Sequence, residues 1–287
     1  MPNVFTPGVR MMLLAALIFA VMQAFVKRVE DLHVLEIVFF RSIVTAAMCI
    51  AYLKAHGIPM LGKQRPLLVL RAVVGVISMT LFFYTIQRMP LGASVSLKYL
   101  SPVFAAVFAY PVLKERIRPI QWLFIAGAFA GVLLLRGFDA RIDSFNLMLG
   151  LIGAVFGGLV YVLIRKIGKA EHPMVIINYF MVLSTVVTGI GMIPFWEMPA
   201  ARDFTYLIVV GVLGYFGQVY MTKALQLELA SRVTPVKYME VIYSLIIGLI
   251  WFGEVYSLLS LTGILLIVIS MLSNLIVKQR FVKKAAA

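Results

Sequence analysis

Six ionisable side chains fall inside long apolar runs of this 287-residue chain: Glu36, Arg41, Arg71, Lys98, Lys237 and Glu240. A charge at the centre of a bilayer costs about 2.5–3.5 kcal/mol on insertion scales, so each must face a partner or a watery cavity. Their types suit electrostatic capture, because an ammonium or a guanidinium fork can replace the water that a carboxylate loses. Two of the six recur. Lys98-Tyr99 sits in a stretch ending at Glu115, and a shift of 139 positions carries it onto Lys237-Tyr238 and Glu254.

The elements that must hold these groups are membrane spans. Hydrophobic residues make up 62% of the chain and charged ones 13%, with a mean hydropathy of +1.01. Soluble domains carry about 45–50% apolar residues. A span needs about 20 mostly apolar residues. Ten segments qualify, near 8–27, 34–53, 67–87, 92–111, 119–136, 146–165, 173–195, 204–223, 232–252 and 257–277. The breaks are short and carry Pro, Gly and charge, as in His56-Gly57-Ile58-Pro59 and Arg88-Met89-Pro90, leaving no room for a folded soluble domain. The opening MPNVFTPGVR has one basic residue and no small-residue cleavage pattern after it, so the first run reads as a retained helix.

The net charge of +14 comes from lysines and arginines at the ends of the runs, where they fix topology and meet acidic headgroups; nucleic acid is excluded as a partner. The N-terminus, alternate loops and C-terminal tail hold 16 of these cations, and the opposite loops hold six: Lys27, Arg28, Arg88, Arg136, Arg141 and Arg202. Both termini are therefore expected in the cytoplasm.

The same shift pairs Ala15 with Ala154, Lys27 with Lys166, His33 with His172, Gly75 with Gly214 and Gln87 with Gln226. Five crossings invert a chain, so residues 1–143 and 144–287 read as two five-helix repeats of opposite orientation. That is the usual build of secondary transporters, with substrate held near the midplane. Small residues at Gly127 and Gly131, Gly153 and Gly157, and Gly211, Gly214 and Gly217 mark close helix approach.

Ser94, Lys98, Ser101, Ala105 and Ala109 fall on one helix face, and Lys237, Glu240, Ser244 and Gly248 form the matching stripe. Both stripes are expected to line one central cavity. At 1.5 Å of rise per residue, Lys98 and Arg41 lie roughly 9–10 Å from the outer ends of their spans, with Gln23 also on the outer side. Lys237 lies about as far from the cytoplasmic end, with Glu240, Gln218 and Asn178 in the inner half. The expectation is a cavity with two cationic rims, one facing each way. Tyr99 and Tyr238 can stack on a solute or hydrogen-bond to it.

Structural roles compete with these. Lys237 and Glu240, three apart, can neutralise one another. Arg41, whose counterpart in the second half is Phe180, can hold a substrate carboxylate or lock its helix to a neighbour. Arg71, four residues from its span's cytoplasmic end, reads as a snorkelling anchor. Glu36, Glu115 and Glu254 read as caps or gates. Glu240 is the candidate for proton coupling, with burial and a neighbouring lysine acting on it in opposite senses.

No nucleotide-binding loop is present. The histidines, His33, His56 and His172, lie at helix ends or in loops, and Cys49 is alone, so neither a metal site, a disulfide nor a catalytic nucleophile is expected. No cofactor is implied.

The runs SLKYLSPVFAAVFAYPVLKE and KYMEVIYSLIIGLIWFGE close on Glu and lead to Gly-centred last helices, IAGAFAGVLLL and LTGILLIVIS. Over about Val9 to Val277 this resembles the EamA branch of the drug/metabolite transporter superfamily. The resemblance implies a ten-helix, all-α carrier working by alternating access, with a cavity lined largely by the third, fourth, eighth and ninth helices. Its relatives move amino acids, other metabolites, drugs and nucleotide-linked compounds, and exporters are frequent. The lysines are also similar to those of the plastid phosphate-ester translocators. Here Tyr238 stands where a second basic residue would follow Lys237, which favours a carboxylate or zwitterion.

The sequence thus points to a multi-pass inner-membrane exporter of a small polar metabolite with an anionic group, such as an amino acid or derivative. Lys98, Tyr99, Arg41, Lys237, Tyr238, Glu240, Ser101, Ser244, Gln218, Asn178 and Gln23 are expected around the substrate. Pro90, Pro102 and Pro235 are expected bending points. The alternatives are an uptake carrier or exchanger for a larger metabolite such as S-adenosylmethionine or a phosphate ester, and, outside transport, a lipid flippase or membrane enzyme. Oligomeric state is left open, a homodimer included.

Overall fold

A computed structural model describes residues 6–113, 119–137, 141–227 and 236–286, and every regular element among them is helical. In chain order these are α1 (Pro7–Arg28), α2 (Val34–Ala55), α3 (Arg65–Arg88), α4 (Leu91–Lys98), α5 (Ser101–Leu113) and α6 (Pro119–Gly137). They continue with α7 (Ser144–Ile167), α8 (Pro173–Met192), α9 (Ala201–Leu227), α10 (Met239–Phe252) and α11 (Leu258–Ala286). Short 3-10 turns occupy Gly168–Ala170 and Ile193–Phe195. Glu115 and Pro235, both singled out from the sequence, lie outside the described residues.

Local chemistry sets several of the boundaries. His33 and His172 cap α2 and α8, each accepting from the backbone N–H two residues on, at 3.4 and 3.2 Å. Asp143 caps α7 through Asn146 N–H at 2.8 Å, and that hydrogen bond holds its carboxyl below the usual range. Gly168 (φ 60°) and Gly253 (φ 62°) close α7 and α10 with positive φ, which glycine adopts without a Cβ clash. α1, α2, α3, α7, α8 and α9 each contain a stretch long and apolar enough to cross a membrane, and shorter apolar helices cover 122–134, 239–252 and 258–270.

The fourth apolar run, expected as one span over 92–111, is two helices. α4 stops at Lys98, Tyr99 and Leu100 form a turn, and α5 begins at Ser101. The cause is Pro102. A continuous helix would satisfy the Lys98 carbonyl with the N–H four residues on, which proline lacks. Ser101 Oγ donates to that carbonyl instead, at 2.8 Å. The ninth run repeats the interruption 139 residues later: Val236 and Lys237 are helical, Tyr238 is a turn, and α10 starts at Met239. Its freed carbonyl at Lys237 lies 2.9 Å from the Tyr99 hydroxyl.

The packing is paired. α1 lies on α9 and α3 on α7; α2 on α9 and α3 on α8; α1 on α10 and α5 on α7; α2 meets α8, α4 meets α10, and α6 meets α11. Small residues allow the tightest of these contacts. A Cβ on Gly131 would stand 2.7 Å from the Gly263 carbonyl oxygen and 2.8 Å from Ile267 Cγ1, so α6 and α11 touch backbone to backbone there.

Candidate functional site

Where α4 and α10 meet, the two interrupted runs bring their loose ends together. Glu240, one residue into α10, has no exposed surface and receives three side chains. Gln23 Nε2 on α1 donates to Oε1 at 2.6 Å, Lys98 Nζ pairs with the same oxygen at 3.3 Å, and the Tyr99 hydroxyl lies 2.9 Å from Oε2. The hydroxyl has one proton for Glu240 and the Lys237 carbonyl, and ties the first half of the chain to the second. Behind the carboxylate, Ser244 Oγ approaches Gln23 Oε1 at 3.5 Å.

The two lysines share this centre. Lys98 Nζ stands 4.3 Å from the Phe82 ring and 6.0 Å from Phe19, and Lys237 Nζ stands 5.7 Å from that same Phe19 ring. The expectation of two separate cationic rims is therefore corrected. The break after α4 lets Lys98 leave the C-terminal end of that helix toward a point that Lys237 shares, and the negative end of the α4 dipole favours the ammonium there. The competing possibility, a Lys237–Glu240 pair, is not what forms: Glu240 takes Lys98 from the opposite half, and the described residues offer Lys237 no carboxylate at salt-bridge distance. The Lys98 side chain keeps 31% of its surface exposed, so a solute can reach it. Tyr99 and Tyr238 pack with ring centroids 4.6 Å apart, and the buried Tyr238 hydroxyl has no hydrogen-bond partner among the described residues.

Arg41 lies beside this cluster, 4% exposed. Its Nη1 contacts Met79 Sδ and lies 3.9 Å from Met181 Sδ, and its guanidinium carbon is 5.6 Å from the Phe83 ring. Its place in the packing is that of Phe180: a Cβ on Gly214 would lie 3.3 Å from Arg41 Nε, and one on Gly75 would lie 3.0 Å from the Phe180 ring. Arg71 departs from the snorkelling anchor expected of it. It is 7% exposed, turned inward with its guanidinium carbon 4.3 Å from the Phe180 ring.

The remaining sequence candidates separate. Gln23 and Ser244 belong to the Glu240 cluster, whereas Ser101 serves the helix break. Asn178 is at a crevice of about 350 Å³ between α3 and α8, lined also by Leu61, Val69, Ala72, Val182 and Val186, with its Oδ1 buried and without a partner among the described residues. Gln218 is half-buried on α9.

Sequence reasoning left one constellation unassembled. Glu254, 6% exposed, pairs with Lys27 Nζ at 2.5 Å and accepts from the backbone N–H of Leu91 through both oxygens, at 3.1 and 3.0 Å. It also contacts the Tyr256 hydroxyl, which in turn accepts from Gly92 N–H at 3.2 Å. Burial and the carboxylate beside it push the Tyr256 phenol up, so it stays protonated. A carboxylate and a phenol from one half thus cap the helix that carries Lys98 in the other. The signal available in the sequence was Glu254 closing the repeated stretch; its partner 227 residues away was not.

Comparison with known proteins places this architecture. The EamA-like transporter family matches twice, over residues 6–137 and 144–276. Solute carrier family 35 member G1 of Homo sapiens is 33% identical over 279 residues, covering 90% of this chain and 76% of that protein. The pseudopaline exporter CntI of Pseudomonas aeruginosa is 30% identical over 266 residues, 92% and 94% of the two chains. The S-adenosylmethionine uptake transporter of Rickettsia prowazekii is 21% identical over 224 residues, 78% and 76%. A solved crystal structure superposes with a TM-score of 0.67 at 15% identity, over 96% of this chain and 97% of the other, which fixes the fold alone. With its apolar helices and its two matches spanning nearly the whole length, this multi-pass membrane protein belongs to the EamA-like transporter family.

Proposed function

We propose that the protein is a secondary exporter of a small polar metabolite with a carboxylate or other anionic group, such as an amino acid or derivative. One observation carries this: Lys98 and Lys237 gather at a single carboxylate, Glu240, whose oxygens already serve Gln23, Tyr99 and Lys98, while Arg41 lies against Phe83, the neighbour of the Phe82 that faces Lys98. Desolvated cations in excess of anions call for an anionic solute. Lys98, Lys237, Tyr99, Tyr238 and Arg41 hold it, with Glu240 setting the position of Lys98 and serving as the group through which a proton is coupled.

The carrier consists of two inverted five-helix repeats, residues 1–143 and 144–287, which rock about this site. Three things support the reading: the 139-residue shift, the twofold family match, and helix pairings that turn into one another when the halves are exchanged. Both termini face the cytoplasm of a bacterial-type inner membrane, as the loop cations argue. In a Cys49→Ser chain, a cysteine placed at Lys283 is expected to react with a membrane-impermeant maleimide only from the cytoplasmic side. Labelling of intact cells from outside would invert the topology. Outward transport is favoured by the exporter relative, which the chain covers almost completely.

The test of the site is thermal stabilisation of the purified protein by a panel of amino acids, organic acids, phosphate esters and nucleosides. A ligand raises stability by RT ln(1 + [L]/Kd), so millimolar ligand with micromolar affinity adds roughly 4 kcal/mol. Carboxylates are expected to raise the Tm, and Lys98→Ala is expected to abolish the rise. Undiminished binding and transport in both Lys98→Ala and Lys237→Ala would refute the assignment.

A further inference from the structure

Arg41 and Arg71 are two guanidinium groups in the membrane interior with no counter-ion among the described residues. The described ion pairs join Lys27 to Glu254, Lys98 to Glu240 and Arg202 to Asp203, and none reaches either arginine. Arg41 Nε and Arg71 Nε and Nη1 are buried without a hydrogen-bond partner among the described residues. What surrounds them is soft: two thioethers and the Phe83 ring at Arg41, and the Phe180 ring at Arg71. Thioether sulfur accepts hydrogen bonds weakly, and an aromatic face returns only part of what desolvation costs.

The two groups converge. Arg41 Nη1 contacts Met79, while Arg71 Nη1 lies 3.3 Å from where a Cβ on Gly75 would stand; Gly75 and Met79 are one turn apart on α3, roughly 6 Å of rise. On α8, Phe180 and Met181 are consecutive, one under each guanidinium. Gly75 and Gly214 flank the pair, and a side chain on either would crowd its surroundings. Nitrogen donors, held close together and left unpaired, are what a carboxylate or phosphate group requires.

We infer that Arg41 and Arg71 form a second anion subsite, next to the Lys98–Lys237 centre, which takes the carboxylate or phosphate of a solute carrying at least two anionic groups. This rests on reading the chain as a carrier of anionic solutes and narrows that class to polyanionic ones. The two subsites adjoin through consecutive residues: Phe82 lies against Lys98 and Phe83 against Arg41. Met22 borders Gly214 at Arg41, and the next residue, Gln23, binds Glu240.

The test uses inorganic phosphate as probe on the purified full-length protein, at constant ionic strength against chloride. Phosphate is expected to raise the Tm of the wild type by several degrees. The rise is expected to shrink in Arg41→Met and in Arg71→Met to the share that the lysine centre contributes, to be partly kept in Arg41→Lys, and to lose only that lysine share in Lys98→Ala. The apolar replacements are expected to melt at or above the unliganded wild type, because they remove an uncompensated charge, which also shows that they fold. Repeating the titration in nanodiscs separates the sources of the anion. A response in phosphatidylcholine and in phosphatidylglycerol alike marks a solute subsite; a response already saturated in phosphatidylglycerol marks a lipid phosphate at the same arginines and overturns the solute assignment. Absence of any phosphate response in the wild type, or one lost in Lys98→Ala and kept in both arginine variants, overturns the inference. The second of these outcomes leaves the reading of the lysine centre standing.

Discussion

Glu254→Ala is expected to destabilise the protein by about 3–5 kcal/mol, the usual cost of removing one partner from a buried ion pair. The carboxylate is 6% exposed, and the Lys27 side chain it neutralises is 13% exposed, so little water is available to replace it. Its loss also strands the first N–H of α4 at Leu91 and the hydroxyl of Tyr256. Because α4 ends at Lys98, fraying of its start displaces the lysine at its other end, and transport is expected to fall with stability. Glu254→Gln, which keeps the shape and an acceptor oxygen, is expected to cost roughly half as much, since the hydrogen bonds lose their charge assistance. Unfolding in detergent micelles decides the matter. A loss below about 1 kcal/mol in the alanine variant would show that the clamp is not holding α4.

The second large effect is expected at Glu240. Glu240→Ala leaves Gln23, Tyr99 and Lys98 without their shared acceptor, a carboxylate that itself has no exposed surface, again at a cost of about 3–5 kcal/mol. The informative comparison is with the double variant Lys98→Met, Glu240→Leu. Apolar replacement of a whole buried pair is often neutral or stabilising, so most of the lost stability is expected to return. Transport is expected to stay lost, because the group that meets the solute has gone. A double variant that transports at the wild-type rate would reduce Lys98 to a neutralising partner. In Glu240→Gln, transport that keeps the wild-type response to pH would exclude this carboxylate as the coupling group.

The legible part of the fold was whatever depends on composition and period. Long apolar runs, glycines at close helix contacts and the lysine count of the loops are local properties, and the described helices follow the runs closely. The fourth run was misread as continuous because apolar content does not report a missing donor. Pro102 was noticed as a bend, yet its consequence for the Lys98 carbonyl required knowing that Ser101 would replace the hydrogen bond. Depth counted along straight helices sets Lys98 and Lys237 apart, whereas in the fold both ammonium groups lie near one phenyl ring. Arg71 was misjudged for a related reason. Distance from a helix end says that a side chain is able to snorkel, and the Phe180 ring that draws it inward is contributed by another helix 109 positions later. Long-range pairings such as Lys27 with Glu254 leave no trace in spacing at all.

The two ion pairs that join the halves set a timetable for synthesis. Lys98 is made 142 residues before Glu240, the carboxylate that neutralises it. At about 5–20 residues per second, the first half waits on the order of 10 s with a bare ammonium, and with Arg41 and Arg71 also uncompensated, before its partner leaves the ribosome. For that interval each bare cation burdens the nascent bundle by about 2.5–3.5 kcal/mol, and the share carried by Lys98 is relieved only when α10 arrives, near the end of translation.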